Sequence, residues 1–375
     1  MYKIMTAGPT QVRENVRMAR SLETTNPDLD VAFVEFYKET CDKLQMLLHS
    51  TGTAYILGGE GILGLEAACA SLTEPGDRVL VLDNGIFGKG FADFVTMYGG
   101  EAVLFTSDYQ KPIDADELRA FLEKDSDFKY ATVVHCDTPS GVLNDVSKIC
   151  PLLAEFGILS VVDSVAGMFG EYVNVDESQI DILCGGSQKA LSAPAGLTML
   201  WVSDKAMEAM ENRKTPVAAF YANILTFKTY YEDKWFPYTM PISDINGLAV
   251  AVDNVIADKD ILQRHAKIAE ATRQAVVKAG LSLYLKEGYS NTVTVIEVPE
   301  GVTDTQILGT LKDKYNIMIS GCFDVLAGKV VRIGHMGESA NIDDMALTLD
   351  AMDKTFAELG ISLKCSMKEE FLKLV

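Results

Sequence analysis

Two runs close together decide the fold: ILSVVDSVAG at 158–167 and IDILCGGSQKA at 180–190. Each is a short apolar stretch that stops at a reactive side chain, Asp163 in the first and Lys189 in the second. An apolar run without alternation is the pattern of a strand buried on both faces. The same pattern recurs at TAYIL (53–57), RVLVL (78–82), EAVLF (101–105), YATVV (130–134) and LTMLWV (197–202). Between these lie segments of helical period such as LGLEAACASL (63–72), FADFVTMY (91–98), ADELRAFLEK (115–124) and VSKICPLLAEF (146–156). Strand–helix alternation of this kind predicts an α/β fold with a mostly parallel sheet covered on both faces. Ligands in such sheets bind at the carboxyl ends of the strands.

The texture changes after about residue 240. Two long helical patterns, roughly 243–257 and 260–280, lead to TVTVIEV (292–298), NIMIS (316–320), KVVRI (329–333) and a closing helix near 341–358. That reads as a smaller C-terminal α+β unit sharing a cleft with the first. The division expected is an N-terminal arm (1–20), a large domain (21–255) and a small domain (256–375).

The chain has 375 residues, and 53 acidic against 33 basic side chains give a net charge of −20. This balance argues against a nucleic-acid partner, which needs clustered Lys and Arg. No apolar stretch is long enough to cross a bilayer, and the start lacks a signal peptide's apolar run, so a cytoplasmic protein is expected. Seven scattered cysteines show no C-x-x-C pair, and four dispersed histidines show no metal-ligand spacing.

Gly59-Glu60-Gly61-Ile62-Leu63-Gly64 is a literal G-x-G-x-x-G between a strand and a helix, with Asp83 about twenty residues on. Alone it spells a dinucleotide-binding fingerprint and an NAD-dependent dehydrogenase. More securely, a glycine turn opening a helix offers free N–H groups to an anion.

Taken singly, Lys189 reads as a solvated lysine, Asp163 as a helix N-cap and Phe87 in NGIFGKG as a core aromatic. Their order along one sheet reads differently. An amine, a carboxylate, a flat aromatic and an anion-binding turn are what pyridoxal phosphate requires: a Schiff-base partner, a partner for the pyridinium nitrogen, a stacking surface and a phosphate cradle. The dehydrogenase reading accounts for neither Lys189 nor Asp163. A non-catalytic cofactor-binding module is the remaining alternative.

Over nearly its whole length the chain resembles the class V aminotransferases. The resemblance is carried by TAGPT (6–10), GGEGILGLEAA (58–68), DNGIFGKG (83–90), HCDTPSGV (135–142), VVDSVAG (161–167), GGSQKALSAPAGL (185–197), FPYTMPIS (236–243) and GKVVRIGHMG (328–337). SQKAL and DSVA are similar to alanine–glyoxylate and serine–pyruvate aminotransferases. GLEAA, DTPSG, INGL and RIGHMG look closer to pyridoxamine–pyruvate aminotransferase.

The resemblance implies the fold-type I architecture: a large domain with a mostly parallel, seven-stranded type of sheet and a smaller C-terminal α+β domain. It implies transamination from a small amino acid, of alanine or serine type, to a 2-oxo acid such as pyruvate or glyoxylate. Lys189 would form the Schiff base and shuttle the proton, with Asp163 on the ring nitrogen and Phe87 stacked on the ring. Thr138, with Ser140 as second choice, would meet the ring hydroxyl. Glu60, Gly61, Ile62, Val165 and Gln188 would surround the cofactor, and Arg332 would clamp the substrate carboxylate. A homodimer is implied, with the site at the subunit boundary and Thr239 reaching in from the partner; the aromatic segment 220–238 is the interface expected. Two departures stand out. Many relatives have Ser or Thr where Glu60 stands, and an acid there resembles enzymes that use free pyridoxamine with pyruvate. Against that second reading, Gln188 keeps the phosphate-binding type and SGCFDVLAGK (320–329) has no second arginine.

Overall fold

The computed structural model describes residues 2–375. Its centre is a seven-stranded sheet: β1 (Thr53–Gly58), β2 (Arg78–Asp83), β3 (Glu101–Thr106), β4 (Tyr130–Val134), β5 (Leu159–Asp163), β6 (Ile182–Gly186) and β7 (Leu197–Val202). In space the order is β1-β7-β6-β5-β4-β2-β3. The block from β3 to β6 is parallel throughout. β7 runs antiparallel to both β6 and β1.

The reversal at β7 has a simple cause. Only residues 187–196 join β6 to β7, and they contain no helix. A parallel connection needs a crossover of about a dozen residues or more, so this link can only fold the chain back. β1, antiparallel to β7, points the same way as β6. Six of the seven strands therefore end on one rim.

The strands are long enough to bury Val, Leu and Ile on both faces, as in β4, whose five residues are all buried. Helix α1 (Gly61–Leu72) packs under β6 and β7, and α2 (Ile86–Met97) under β2 and β3. Apolar side chains gather in two large clusters. One joins the sheet, for example Ile56, Leu82, Val162 and Trp201, to α3 (Ile242–Ala257) through Leu248 and Val252. The other joins α4 (Ile261–Lys278) to the antiparallel pair β8 (Val293–Glu297) and β9 (Val330–Gly334) and to the helices Asp304–Tyr315 and Ile342–Glu358. The expected NIMIS strand shortens to Ile317–Met318, because its partner is only the two-residue strand Lys3–Ile4. A last helix, Met367–Leu372, lies beyond the expected closing helix.

Among the contacts that bind the halves, two stand out. Buried Glu171 accepts hydrogen bonds from Ser290 Oγ at 3.0 Å and Asn291 Nδ2 at 3.0 Å. The first residues form the other joint. Met5 sits in the C-terminal cluster, its carbonyl accepts from Gly334 N at 2.8 Å, and helix Glu14–Ala19 packs on α3.

Gly334 has no room for a side chain, since a Cβ there would stand 1.9 Å from the carbonyl oxygen of Thr6. Backbone cannot yield as a side chain can. Gly334→Ala is therefore expected to lower stability by about 2 kcal/mol in denaturant titration, and to quicken tryptic cleavage at Arg13 and Arg17 as residues 3–7 are displaced.

Candidate active site

The rim holds a switch point. From β2 the chain steps outward to β3, then returns to lay β4 on the other side of β2. The connections leaving β2 and β4 diverge there and open a crevice. Phe87 follows β2 and Thr138 follows β4; Asp163 ends β5, Lys189 follows β6 and Glu60 follows β1. All five line one cavity with about 540 Å³ of atom-free space, together with Ile62, Val165 and Gln188.

Lys189 lies in the tight turns after β6, where its Nζ donates to the carbonyl of Ala7. Burial is the main reason its amine falls to about 8, with Arg332 adding to the effect and Cys136, Asp163 and Glu60 opposing it. Burial likewise lifts the Asp163 carboxyl to about 7, against a backbone bond from Val165 N to Oδ1 at 2.9 Å and the charge of Lys189. A basic amine that is readily neutral faces a carboxyl that readily keeps its proton. Two groups so perturbed in one cavity mark it as a site for proton chemistry.

At the other end of the cavity Glu60 is the N-cap of α1. Its Oε1 accepts from Ile62 N at 3.1 Å, and its Oε2 accepts from Gln188 Nε2 at 3.0 Å. The carboxylate thus sits at the positive end of the α1 dipole, where an anionic ligand would otherwise bind. Gly61 is forced by the same crowding, since a Cβ there would lie 2.8 Å from Val165 Cγ2. Gln188 Oε1 is buried without a hydrogen-bond partner. A pyridine ring fits between Asp163, Phe87 and Lys189. A phosphate fits at α1 only where the Glu60 side chain turns aside, which would free Gln188 Nε2 to donate to it.

Buried Asp137 ties the crevice walls together. Its Oδ1 accepts from Phe87 N at 3.1 Å, and its Oδ2 accepts from Ser140 Oγ at 2.7 Å and Ser140 N at 3.2 Å. The Ser140 hydroxyl is therefore turned to Asp137, whereas Thr138 lines the cavity. Arg332, on β9, reaches back across the cleft: Nη1 donates to Thr138 O at 3.2 Å and Nε to Gly321 O at 2.7 Å. It is 8% exposed and stands beside the cavity, outside its lining. Thr239 lies apart from this cavity, exposed, donating to Asp28 Oδ2 at 2.9 Å.

Asp83 of the dinucleotide fingerprint is spoken for. Its carboxylate takes hydrogen bonds from Tyr109 OH at 2.5 Å and Thr106 Oγ1 at 3.2 Å. The glycine run, moreover, follows a strand at the edge of the sheet beside an antiparallel neighbour. Sequence reasoning gave no role to Ala7, Cys136 or Asp137. The stretches TAGPT and HCDTPSGV contain them, but only the folded chain brings Ala7 to Lys189. Among the described residues no cluster of His, Cys, Asp or Glu has metal-binding geometry, and no helix is long and apolar enough to cross a membrane.

The model of the family described as Aminotransferase class-V matches residues 27–333. The chain is 35% identical over 378 aligned residues to an uncharacterized aminotransferase of Methanocaldococcus jannaschii, covering 99% of this chain and 97% of the other. It is 34% identical to the pyridoxamine–pyruvate transaminase of Mesorhizobium japonicum, covering 90% and 86%. Among solved structures, the ureidoglycine–glyoxylate aminotransferase of Bacillus subtilis superposes with a TM-score of 0.96 at 26% identity, covering 100% of this chain and 98% of that one.

The perturbed pair sets a pH dependence. The unfolded chain holds the Lys189 proton up to 10.5 and the folded one only to about 8, so this group makes stability rise with pH across that window. Asp163 works the other way between 3.8 and about 7, where the folded state binds the extra proton. Lys189→Met removes the first effect and, by taking away a positive charge near Asp163, lets the Asp163 carboxyl rise further. It is expected to stabilise the protein by about 1–3 kcal/mol at pH 7 in urea titrations, with the gain fading towards pH 10.5. A variant less stable than wild type at pH 7 would contradict the assignment.

Proposed function

The chain belongs to the class V aminotransferase family, and from that premise we propose that it moves an amino group from a small amino acid of alanine or serine type to a 2-oxo acid such as pyruvate or glyoxylate. The observation that carries this reading is the Lys189–Asp163 pair at adjacent strand ends, both perturbed by burial in the same cavity.

The cofactor is pyridoxal 5′-phosphate, which supplies a carbonyl for the amino group and a ring that draws electrons from the substrate's α-carbon. The chain's own residues do the rest. Lys189 Nζ, held near neutrality, takes the proton from the α-carbon and returns it, alternating as base and acid. Asp163 would hold the proton on the ring nitrogen, and Phe87 would cover one face of the ring. Thr138 would meet the ring hydroxyl, while Val165, Gly61, Ile62 and Gln188 would enclose the far end. Arg332 binds the substrate carboxylate with a planar, two-pronged guanidinium. The sequence reading of a homodimer in the cytoplasm, with Thr239 completing the partner's site, belongs to this proposal. An exposed Thr239 outside its own cavity is compatible with it.

A second reading has an observation of its own. The Glu60 carboxylate fills the anion position at α1, so free pyridoxamine, lacking phosphate, would be the amino donor and pyruvate the acceptor. Likeness to the Mesorhizobium transaminase supports it.

Two experiments decide. Purified protein is assayed with L-alanine and glyoxylate, and with pyridoxamine and pyruvate. Lys189→Ala is expected to lower kcat by at least about 10⁴-fold with unchanged circular dichroism, and Arg332→Ala to raise KM for the amino acid. Retained turnover in Lys189→Ala would overturn the transaminase reading. Equilibrium titration then separates its two forms. Tighter binding of pyridoxal than of pyridoxal phosphate, moved at least about tenfold towards the phosphate by Glu60→Ser, favours the vitamer reaction. The opposite preference in wild type favours the ordinary one.

A further inference from the structure

Phe323, in the loop between Ser320 and Lys329, packs against Phe87 of the cavity lining, and 45% of it remains exposed. Burial does not explain its position; its neighbours do. Its ring meets the Phe87 ring edge-on, with centroids 6.0 Å apart. The Arg332 guanidinium lies over its face at 5.9 Å. Phe323 therefore joins the aromatic wall of the cavity to the one cation beside it.

Arg332 keeps most of its donors free. Two of its five N–H groups are used, both on backbone carbonyls, and among the described residues no carboxylate pairs with it. The remaining donors suit one planar anion. The cavity lining adds a single cation, Lys189, and two carboxylates, Glu60 and Asp163. Beyond Arg332 and Lys189, a second carboxylate on a substrate would find no cation in this lining, and the faces of Phe87 and Phe323 carry negative charge density.

We infer that Phe323 is a specificity-determining residue: with Arg332 as the only carboxylate clamp, the site accepts monocarboxylate amino and 2-oxo acids with short uncharged side chains and rejects dicarboxylates. This rests on the transaminase reading, so its test includes a measurement that needs no turnover. Calorimetric titration compares propionate with succinate, unreactive analogues of alanine and aspartate. Propionate is expected to bind at least about tenfold more tightly, and Arg332→Ala to abolish binding of both. In steady-state assays kcat/KM for L-alanine is expected to exceed that for L-aspartate by at least about 100-fold. Phe323→Arg should shift that ratio towards aspartate by at least about tenfold, and Phe323→Leu, which removes the aromatic face without adding a cation, should shift it the same way by less. Succinate binding as tightly as propionate, binding of neither acid, or a ratio unmoved by Phe323→Arg overturns the inference. Propionate preference without turnover of either amino acid removes the transaminase reading and leaves the selectivity of the pocket standing.

Discussion

The link of residues 187–196 is too short to cross the sheet, and the site depends on that constraint. Because β7 must turn back, β1 beyond it runs forward again, and Glu60 arrives on the same rim as Lys189. A longer, helical connection would have left β7 parallel and β1 free to lie elsewhere. The hydrogen bond between Glu60 and Gln188 is a direct consequence, joining residues 128 positions apart. The carboxylate that caps α1 is thereby fixed at one end of the cavity while the amine of Lys189 is fixed at the other.

Burial then makes the chemistry. The rim residues sit at strand ends, where the backbone is already paired and the side chains have little freedom. Asp163 is held by the amide of Val165 and Lys189 by the carbonyl of Ala7. Neither group meets a full complement of charge partners, so each drifts towards its neutral form. Asp137 acts on the backbone instead, tying the amide of Phe87 to Ser140 and keeping the two walls of the crevice in register.

Much of this was legible in the sequence, for a physical reason. Strands buried on both faces are uniformly apolar, so β2, β4 and β7 stood out in the sequence within a residue of their observed ends. Asp163 and Lys189 were legible because each interrupts such a run. Direction was not, since LTMLWV looks the same whether it runs forwards or back. The orientation of Glu60 was also open, because it depends on Gln188, which only the folded sheet brings near. Ala7 and the surroundings of Arg332 were illegible for the same reason, being set by contacts between distant parts of the chain.

One such contact governs how the molecule comes into being. Lys3 and Ile4 pair with Ile317 and Met318, and Met5 lies against β9, so the carbonyl that receives the Lys189 amine is positioned by strands near the opposite end of the chain. During synthesis the sheet can collapse as soon as β7 emerges, but residues 3–5 lack their strand partners until the final quarter has been made. The site is thus completed late, by residues that precede the whole sheet in the chain, and a chain truncated before β9 would possess its lysine and its aspartate without the strand that positions the Ala7 carbonyl.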